Sequence, residues 1–253
     1  MKITNIVFSP TGGTEEVANI ITGKMGEAGQ HVDLMDRNMD FATFEISEED
    51  ICIIAVPSFG GRVPFLASER IAKIRGNGAK AVLVAVYGGR AYEDTLIELQ
   101  DVAEAAGFVP VAAIAALAEH SMDRQFCAHR PDGQDEQQLA EFAEKIIGVI
   151  RNGRTEKLQV PGDRPYKDFP GSAARALADD TCVRCGLCVT ACPVGAIPAD
   201  DPSGMDTDKC IVCMACEYVC PEGARKLSPQ FLEMLGAKLS AACAVRKENE
   251  LFI

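Results

Sequence analysis

Eight of the chain's eleven cysteines fall in two runs of identical spacing. Cys182, Cys185, Cys188 and Cys192 precede Pro193, and Cys210, Cys213, Cys216 and Cys220 precede Pro221. Each run reads C-x2-C-x2-C-x3-C-P, a spacing that suits thiolate ligation of iron–sulfur cubanes. The first three thiolates of a run curl the backbone around one corner of a cluster. The fourth lies past a turn, and in this pattern it serves the other cluster. One cluster is therefore expected on Cys182, Cys185, Cys188 and Cys220, and a second on Cys210, Cys213, Cys216 and Cys192. The proline after each fourth cysteine fixes φ and stops the chain from running on as a helix. Zinc sites usually separate two cysteine pairs by a longer stretch, and disulfides suit small secreted chains. Neither describes three cysteines crowded into seven residues, twice over.

The repeat extends beyond cysteine. Residues 192–196, Cys-Pro-Val-Gly-Ala, align with residues 220–224, Cys-Pro-Glu-Gly-Ala, at an offset of 28. Two copies of one half-module imply a small pseudo-symmetric domain, poor in large apolar residues and dependent on its clusters for folding. Over residues 178–228 the segment resembles the bacterial two-cluster ferredoxins, with all eight ligand positions present. The resemblance implies a small α+β ferredoxin-like domain carrying two [4Fe-4S] clusters that move electrons singly.

The elements that must position this module lie upstream. A chain of 253 residues is long enough for two modest domains, and 47% apolar with 25% charged residues is a globular composition. No apolar run approaches the length of a membrane span. The N-terminus has no signal-peptide pattern, so eleven cysteines are expected in a reducing cytoplasm. Thirty-seven acids against 25 bases leave a net charge of −12, which argues against nucleic acid as a partner. The same charge suits a carrier that meets redox partners through their basic patches.

Residues 1–153 alternate strand and helix signals. Strands are expected at Ile3–Phe8, Val32–Met35, Asp50–Val56, Lys80–Tyr87 and Val109–Leu117. Helices are expected at Glu15–Ala28, Phe65–Ile74, Glu93–Ala106 and Gln134–Ile150. Strands that are apolar on both faces imply a parallel sheet covered by helices on both sides. Five of them fit a doubly wound order 2-1-3-4-5, whose ligands sit beyond the carboxyl ends of the strands near the first and third.

Three loops occupy that position. Ser9, Pro10, Thr11, Gly12, Gly13 and Thr14 leave a strand and open a helix, so small residues, hydroxyls and backbone N–H groups face an anion. No lysine stands in the P-loop position, which suits a single terminal phosphate. This loop resembles the S/T-x-T-G-x-T phosphate loop of flavodoxins, and the N-terminal domain resembles flavodoxin throughout. The resemblance implies FMN. It makes Pro57, Ser58, Phe59, Gly60 and Gly61 the second loop around the ring and Gly88, Gly89, Arg90 and Tyr92 the third. Phe59 and Tyr92 are the implied ring contacts, the four glycines bring amides to its polar edge, and Arg90 offsets the charge of a reduced flavin. Two departures stand out: the chain has no tryptophan, and Gly13 follows Gly12 where many flavodoxins carry asparagine.

A Pro/Gly/Arg-rich stretch, residues 154–172, reads as a connector that wraps over a surface through Tyr166 and Phe169. Residues 173–253 form the expected second domain with a helical tail. Cys52, Cys127 and Cys243 read as buried hydrophobes, His120 as a surface histidine with the flavin pocket as its second reading, and His120, Cys127 and His129 as too few for a metal site. As a whole the chain resembles a flavodoxin–ferredoxin fusion of the ferredoxin-type electron carriers. That implies a relay between FMN, two clusters and external redox proteins, one donor and one acceptor, and leaves room for a homodimer. Two alternatives stay open. One is a flavin-dependent reductase of a small substrate fed by its own ferredoxin domain, and the other is an iron–sulfur sensor.

Overall fold

The computed structural model describes residues 2–153 and 156–253. Met1 lies outside the described residues, as do Arg154 and Thr155, where the connector was expected to begin. The first domain runs β1 (Lys2–Val7), α1 (Gly13–Met25), β2 (Glu27–Asp33), β3 (Ile51–Pro57), α2 (Phe65–Ile71), β4 (Lys80–Tyr87), α3 (Thr95–Ala105), β5 (Val109–Leu117) and α4 (Gly133–Asn152). Its five strands are parallel in the order β2-β1-β3-β4-β5. This is the doubly wound order expected from the sequence.

Alternation along the strands builds two cores. On one face Ile6, Ile54, Leu83 and Ala113 pack with Ile71 of α2 and Leu96, Leu99 and Ala103 of α3. On the other, Ile3, Ile53, Val84 and Ile114 meet Val17 and Ile21 of α1 and Leu139, Phe142 and Ile146 of α4. Burying one such aliphatic side chain contributes about 1.5–3 kcal/mol, so the sheet is held from both sides. α4 starts on a capping box in which the Asp132 carboxylate accepts from the backbone N–H of Asp135, and the Asp135 carboxylate accepts from that of Asp132.

The second region comprises β6 (Leu177–Ala178), α5 (Leu187–Ala191), α6 (Ala215–Tyr218), β7 (Arg225–Lys226), α7 (Pro229–Ala242) and β8 (Glu250–Phe252). β6 and β7 form a two-stranded antiparallel ribbon. Left-handed backbone recurs at the offset of the repeat: Arg184 and Val212, Gly186 and Met214, Gly195 and Gly223 all have positive φ. These turns curl the chain between successive cysteines, and the matching conformations make the pseudo-symmetry structural.

Two connections carry the sequence reading further. The connector is laid along α3: Arg164 and Tyr166 bond Asp101, Gln100 donates to the Leu158 carbonyl, and the N–H groups of Asp163 and Lys167 donate to Asp94. The tail, grouped with the second region, ends as a sixth strand, because β8 pairs antiparallel with β5 at the edge of the large sheet. Buried Asn249 anchors it by accepting from the Leu117 N–H and donating to Asp135 and Gln138. Among the described residues, no helix is long and apolar enough to cross a membrane.

Candidate functional site

The three loops expected at the carboxyl ends of the strands converge. A cavity of about 110 Å³ is lined by Thr11, Gly13 and Thr14 from the first, Pro57, Ser58, Phe59 and Gly60 from the second, and Gly88 and Arg90 from the third. A second cavity of about 310 Å³ shares Thr11 and Gly13 with it and adds Arg124, His129 and Arg130. The two are parts of one trough running across the start of α1.

Each loop is shaped by its residues. Gly12, with φ +86°, is the N-cap of α1, a left-handed conformation that glycine adopts without a Cβ penalty. Ser9 accepts the N–H of Glu15 at 2.9 Å, so its hydroxyl stabilises the first turn of α1 and is not among the cavity-lining groups. In the second loop the N–H and carbonyl of Phe59 bond those of Arg62 in a tight turn, while the ring of Phe59 meets Phe8 edge-on. Ser58 accepts from the Thr95 hydroxyl at 2.7 Å, which fixes its rotamer beside the cavity. Gly61 and Gly89, both at positive φ, turn the chain behind the cavity without lining it.

Two third-loop residues behave differently from expectation. Tyr92 does not line the cavity; it packs edge-on against Tyr87 and donates to Glu250 at 3.1 Å. Burial beside the Glu250 carboxylate raises its pKa, and the same causes push Tyr87 up to about 12. Arg90 lines the cavity, yet its guanidinium forks onto Glu93 at 3.0 and 2.9 Å. The hydrogen bond from Arg90, with Lys167 assisting, holds Glu93 down to about 2. The charge assigned to Arg90 is thus already matched.

Val86, Tyr87, Ala91, Ala118, Glu119 and Ser121 also line the trough and were not singled out, and His120, read as a surface residue, lines it with them. Their signal was present, since they flank the glycine turn after β4 and the end of β5. His120 is the consequential one. It faces the cavity where a surface position was expected, and burial lowers its pKa. Its Nδ1 accepts from the N–H groups of Met122 and Asp123, which places the proton of the neutral ring on Nε2. Among the described residues, no three His, Cys, Asp or Glu side chains gather as a single-ion metal site, His120, Cys127 and His129 included. Cys127 and Cys243 instead face Gly89: a Cβ there would meet their sulfurs at 2.5 and 3.3 Å.

In the second region Cys192 from one run and Cys210, Cys213 and Cys216 from the other line one apolar cavity, with Val194, Ile197 and Met205. Burial pushes the Cys213 thiol up to about 12 and that of Cys216 up to about 11, the latter opposed by the Arg225 guanidinium. The Cys192 sulfur accepts the N–H of Ala196 at 3.2 Å, the kind of bond that steadies a thiolate ligand. Cys182, Cys188 and Cys220 are wholly or partly covered and Cys185 is exposed. The donor chemistry fits a thiolate-held cluster in an apolar cage.

The region is docked on the loop end of the sheet. Arg37 donates to the carbonyls of Val189 at 3.1 Å and Cys192 at 3.4 Å, and Arg70 to that of Pro193 at 2.9 Å. Ile211 packs against the core of the first domain. The Tyr218 hydroxyl lies 3.1 Å from where a Cβ on Gly12 would stand. Cys192, one lining residue of the cysteine cavity, is thus tied to the first domain through its carbonyl, while Cys185, Val183 and Leu187 are exposed.

Residues 181–224 match the family model of the 4Fe-4S dicluster domain. Among solved structures, a flavodoxin of Streptococcus pneumonia TIGR4 is 21% identical with a TM-score of 0.41, covering 58% of this chain and 99% of its own. Flavodoxin 1 from Bacillus cereus gives 19%, 0.41, 58% and 98% by the same measures, and the Megasphaera elsdenii flavodoxin 18%, 0.38, 57% and 99%. No curated protein matches the chain. It is the strand order that makes the first domain flavodoxin-like. The chain is a fusion of that fold with a ferredoxin-type dicluster segment.

Proposed function

We propose that the chain is an electron-transfer flavoprotein that holds FMN in the trough and two [4Fe-4S] clusters in the cysteine cages. The observation that carries this reading is the cage of Cys192, Cys210, Cys213 and Cys216, built across the repeat and docked against the loops at the strand ends. Bound flavin exchanges two electrons with a partner or substrate, and each cluster exchanges one.

The chain's own residues supply the rest. The Thr11 and Thr14 hydroxyls and the backbone N–H groups at the start of α1 hold the phosphate. Phe59 and the glycines of the second and third loops bound the ring. His120 offers a proton at Nε2, and paired Arg90 and Glu93 stiffen the third loop. The domains fall at residues 1–153 and 173–253, with 154–172 as a strap along α3. The Cys192 cage is the one nearer the flavin. The exposed Cys185 side, with Val183 and Leu187, faces an external donor or acceptor.

A second reading, reduction of a small substrate at the flavin, is favoured by a groove of about 420 Å³. Phe59, Phe65, Phe169 and Ile211 line it, with the Arg62–Glu98 ion pair at its wall. Its apolar lining with few polar groups has the character of a ligand site.

The test is oxygen-free purification with flavin, iron and sulfide quantitation on three proteins. The parent should hold one FMN and two clusters. Thr11→Ala with Thr14→Ala should lose FMN and keep iron. Cys192→Ser should damage the cluster of Cys210, Cys213 and Cys216; loss of the Cys182, Cys185 and Cys188 cluster instead would refute crossed ligation. Equal flavin in the double variant and parent would refute the phosphate loop.

A further inference from the structure

The two halves of the cysteine region differ at one buried position. At the offset of 28 that relates Cys192 to Cys220 and Ala196 to Ala224, Ile197 corresponds to Arg225. The correspondence is geometric as well, because Gly195 and Gly223 share the same left-handed turn just before it. Both side chains are buried, Ile197 at 3% and Arg225 at 1% exposure. A guanidinium thus occupies a place that its twin fills with a hydrocarbon.

That substitution is costly unless something compensates. A buried cation without an anion loses several kcal/mol of hydration. The partners of Arg225 are carbonyls: Nη1 donates to Ala176 at 3.2 Å, and Nη2 to Pro202 and Gly204, both at 2.7 Å. Its Nε is buried without a partner, and no carboxylate answers the charge among the described residues.

The place of Arg225 names the missing anion. Ile197 lines the cavity of Cys192, Cys210, Cys213 and Cys216, so the repeat sets Arg225 at the equivalent wall of the other cage. The Pro202 carbonyl that accepts from Arg225 also accepts from the Cys188 sulfur at 3.7 Å. β7, which carries Arg225, packs against α6, which carries Cys216. The guanidinium thus shares an acceptor with Cys188, and its strand packs on the helix that carries Cys216.

We propose that Arg225 is a fixed counter-charge shared by the two iron–sulfur clusters and that it raises the reduction potential of both. The inference rests on the cluster reading above. A cubane with four thiolates is a net anion, and reduction adds one electron with no bond made or broken. A buried positive charge stabilises the reduced form more than the oxidised one. The electron is supplied by an external one-electron donor protein, and the charge makes each cluster easier to fill. Arg225 acts here as a tuning residue, outside the ligand set.

The test is an EPR-monitored redox titration of the full-length protein, with iron and sulfide counted first. Arg225→Gln keeps polar donors and removes the charge; both midpoints should fall, with the equilibrium constant for reduction lowered about tenfold. Arg225→Lys keeps the charge and should stay near the parent. Ile197→Met repacks the twin position without a charge change and should leave both midpoints in place. Unchanged midpoints in Arg225→Gln overturn the proposal. So do Lys midpoints as low as those of Gln, or an equal fall in Ile197→Met. A Gln variant that binds no iron beside a Lys variant that does would make Arg225 an assembly residue and equally overturn it. A parent without iron and sulfide defeats the cluster reading itself, a separate failure.

Discussion

The sheet domain and the cysteine region solve the folding problem by different means. The first has two continuous cores in which Ile, Val, Leu and Phe from every strand meet helices on both faces. In the second, two small clusters of buried residues include cysteines of the two runs: Cys188 and Cys192 sit with Ala196 and Ile197, and Cys210 and Cys216 pack at the margins. One region is organised by apolar burial. The other has little apolar surface to offset its chain entropy, a role that ligand bonds would take in the proposed holoprotein. The contrast also bears on function, since a rigid sheet can present loops to a ligand whether or not the ligand is there.

The largest effect should come from stripping iron from the holoprotein with a chelator under reducing, oxygen-free conditions. Amides of residues 177–227 should lose hydrogen-exchange protection, while those of β1, β3 and β4 keep theirs. Retained protection in the cysteine region would break the contrast. Leu83→Ala tests the other side. Leu83 is fully buried at the centre of β4, so truncation should cost about 2–5 kcal/mol in denaturant unfolding. Iron content per folded molecule should not change; coupled loss of iron would mean that the regions fold as one.

A smaller effect concerns pH at the junction of sheet and strap. Glu93 is held down to about 2, from an ordinary 4.5, chiefly by its hydrogen bond from Arg90 and then by Lys167 of the strap. A depressed carboxylate stabilises the folded state above its unfolded pKa, and the gain is lost as pH falls through the folded value. Stability attributable to Glu93 should therefore fade between about 4.5 and 2, and Glu93→Gln should flatten the acid limb there. Identical acid limbs in variant and parent would show that the pair contributes nothing, as partly exposed pairs sometimes do.

Legibility followed burial. β3, β4 and β5 stand out in the sequence because a strand covered on both faces must be apolar throughout. β2 was placed at Val32–Met35, whereas the strand spans Glu27–Asp33 and is mostly exposed. As an edge strand with Gly29 near its start, it has no pattern to read. β8 is three residues long and takes its strand form only from pairing with β5. The glycine loops were readable because tight turns at the ends of strands demand small residues. Which of their neighbours face the cavity was not, as Tyr92, drawn away by Glu250 of the tail, and His120, turned inward, both show.

The amino-acid order alone determined the cysteine spacing, the repeat and the strand succession, since residue spacing and strand period are local properties of a chain. Tertiary structure decided that Arg37 and Arg70 of the first domain reach the carbonyls of Cys192 and Pro193, that Cys127 and Cys243 both face Gly89, and that Arg225 is buried on the carbonyls of Ala176, Pro202 and Gly204. Those facts join residues far apart in sequence, and only the packing of one surface on another brings them together.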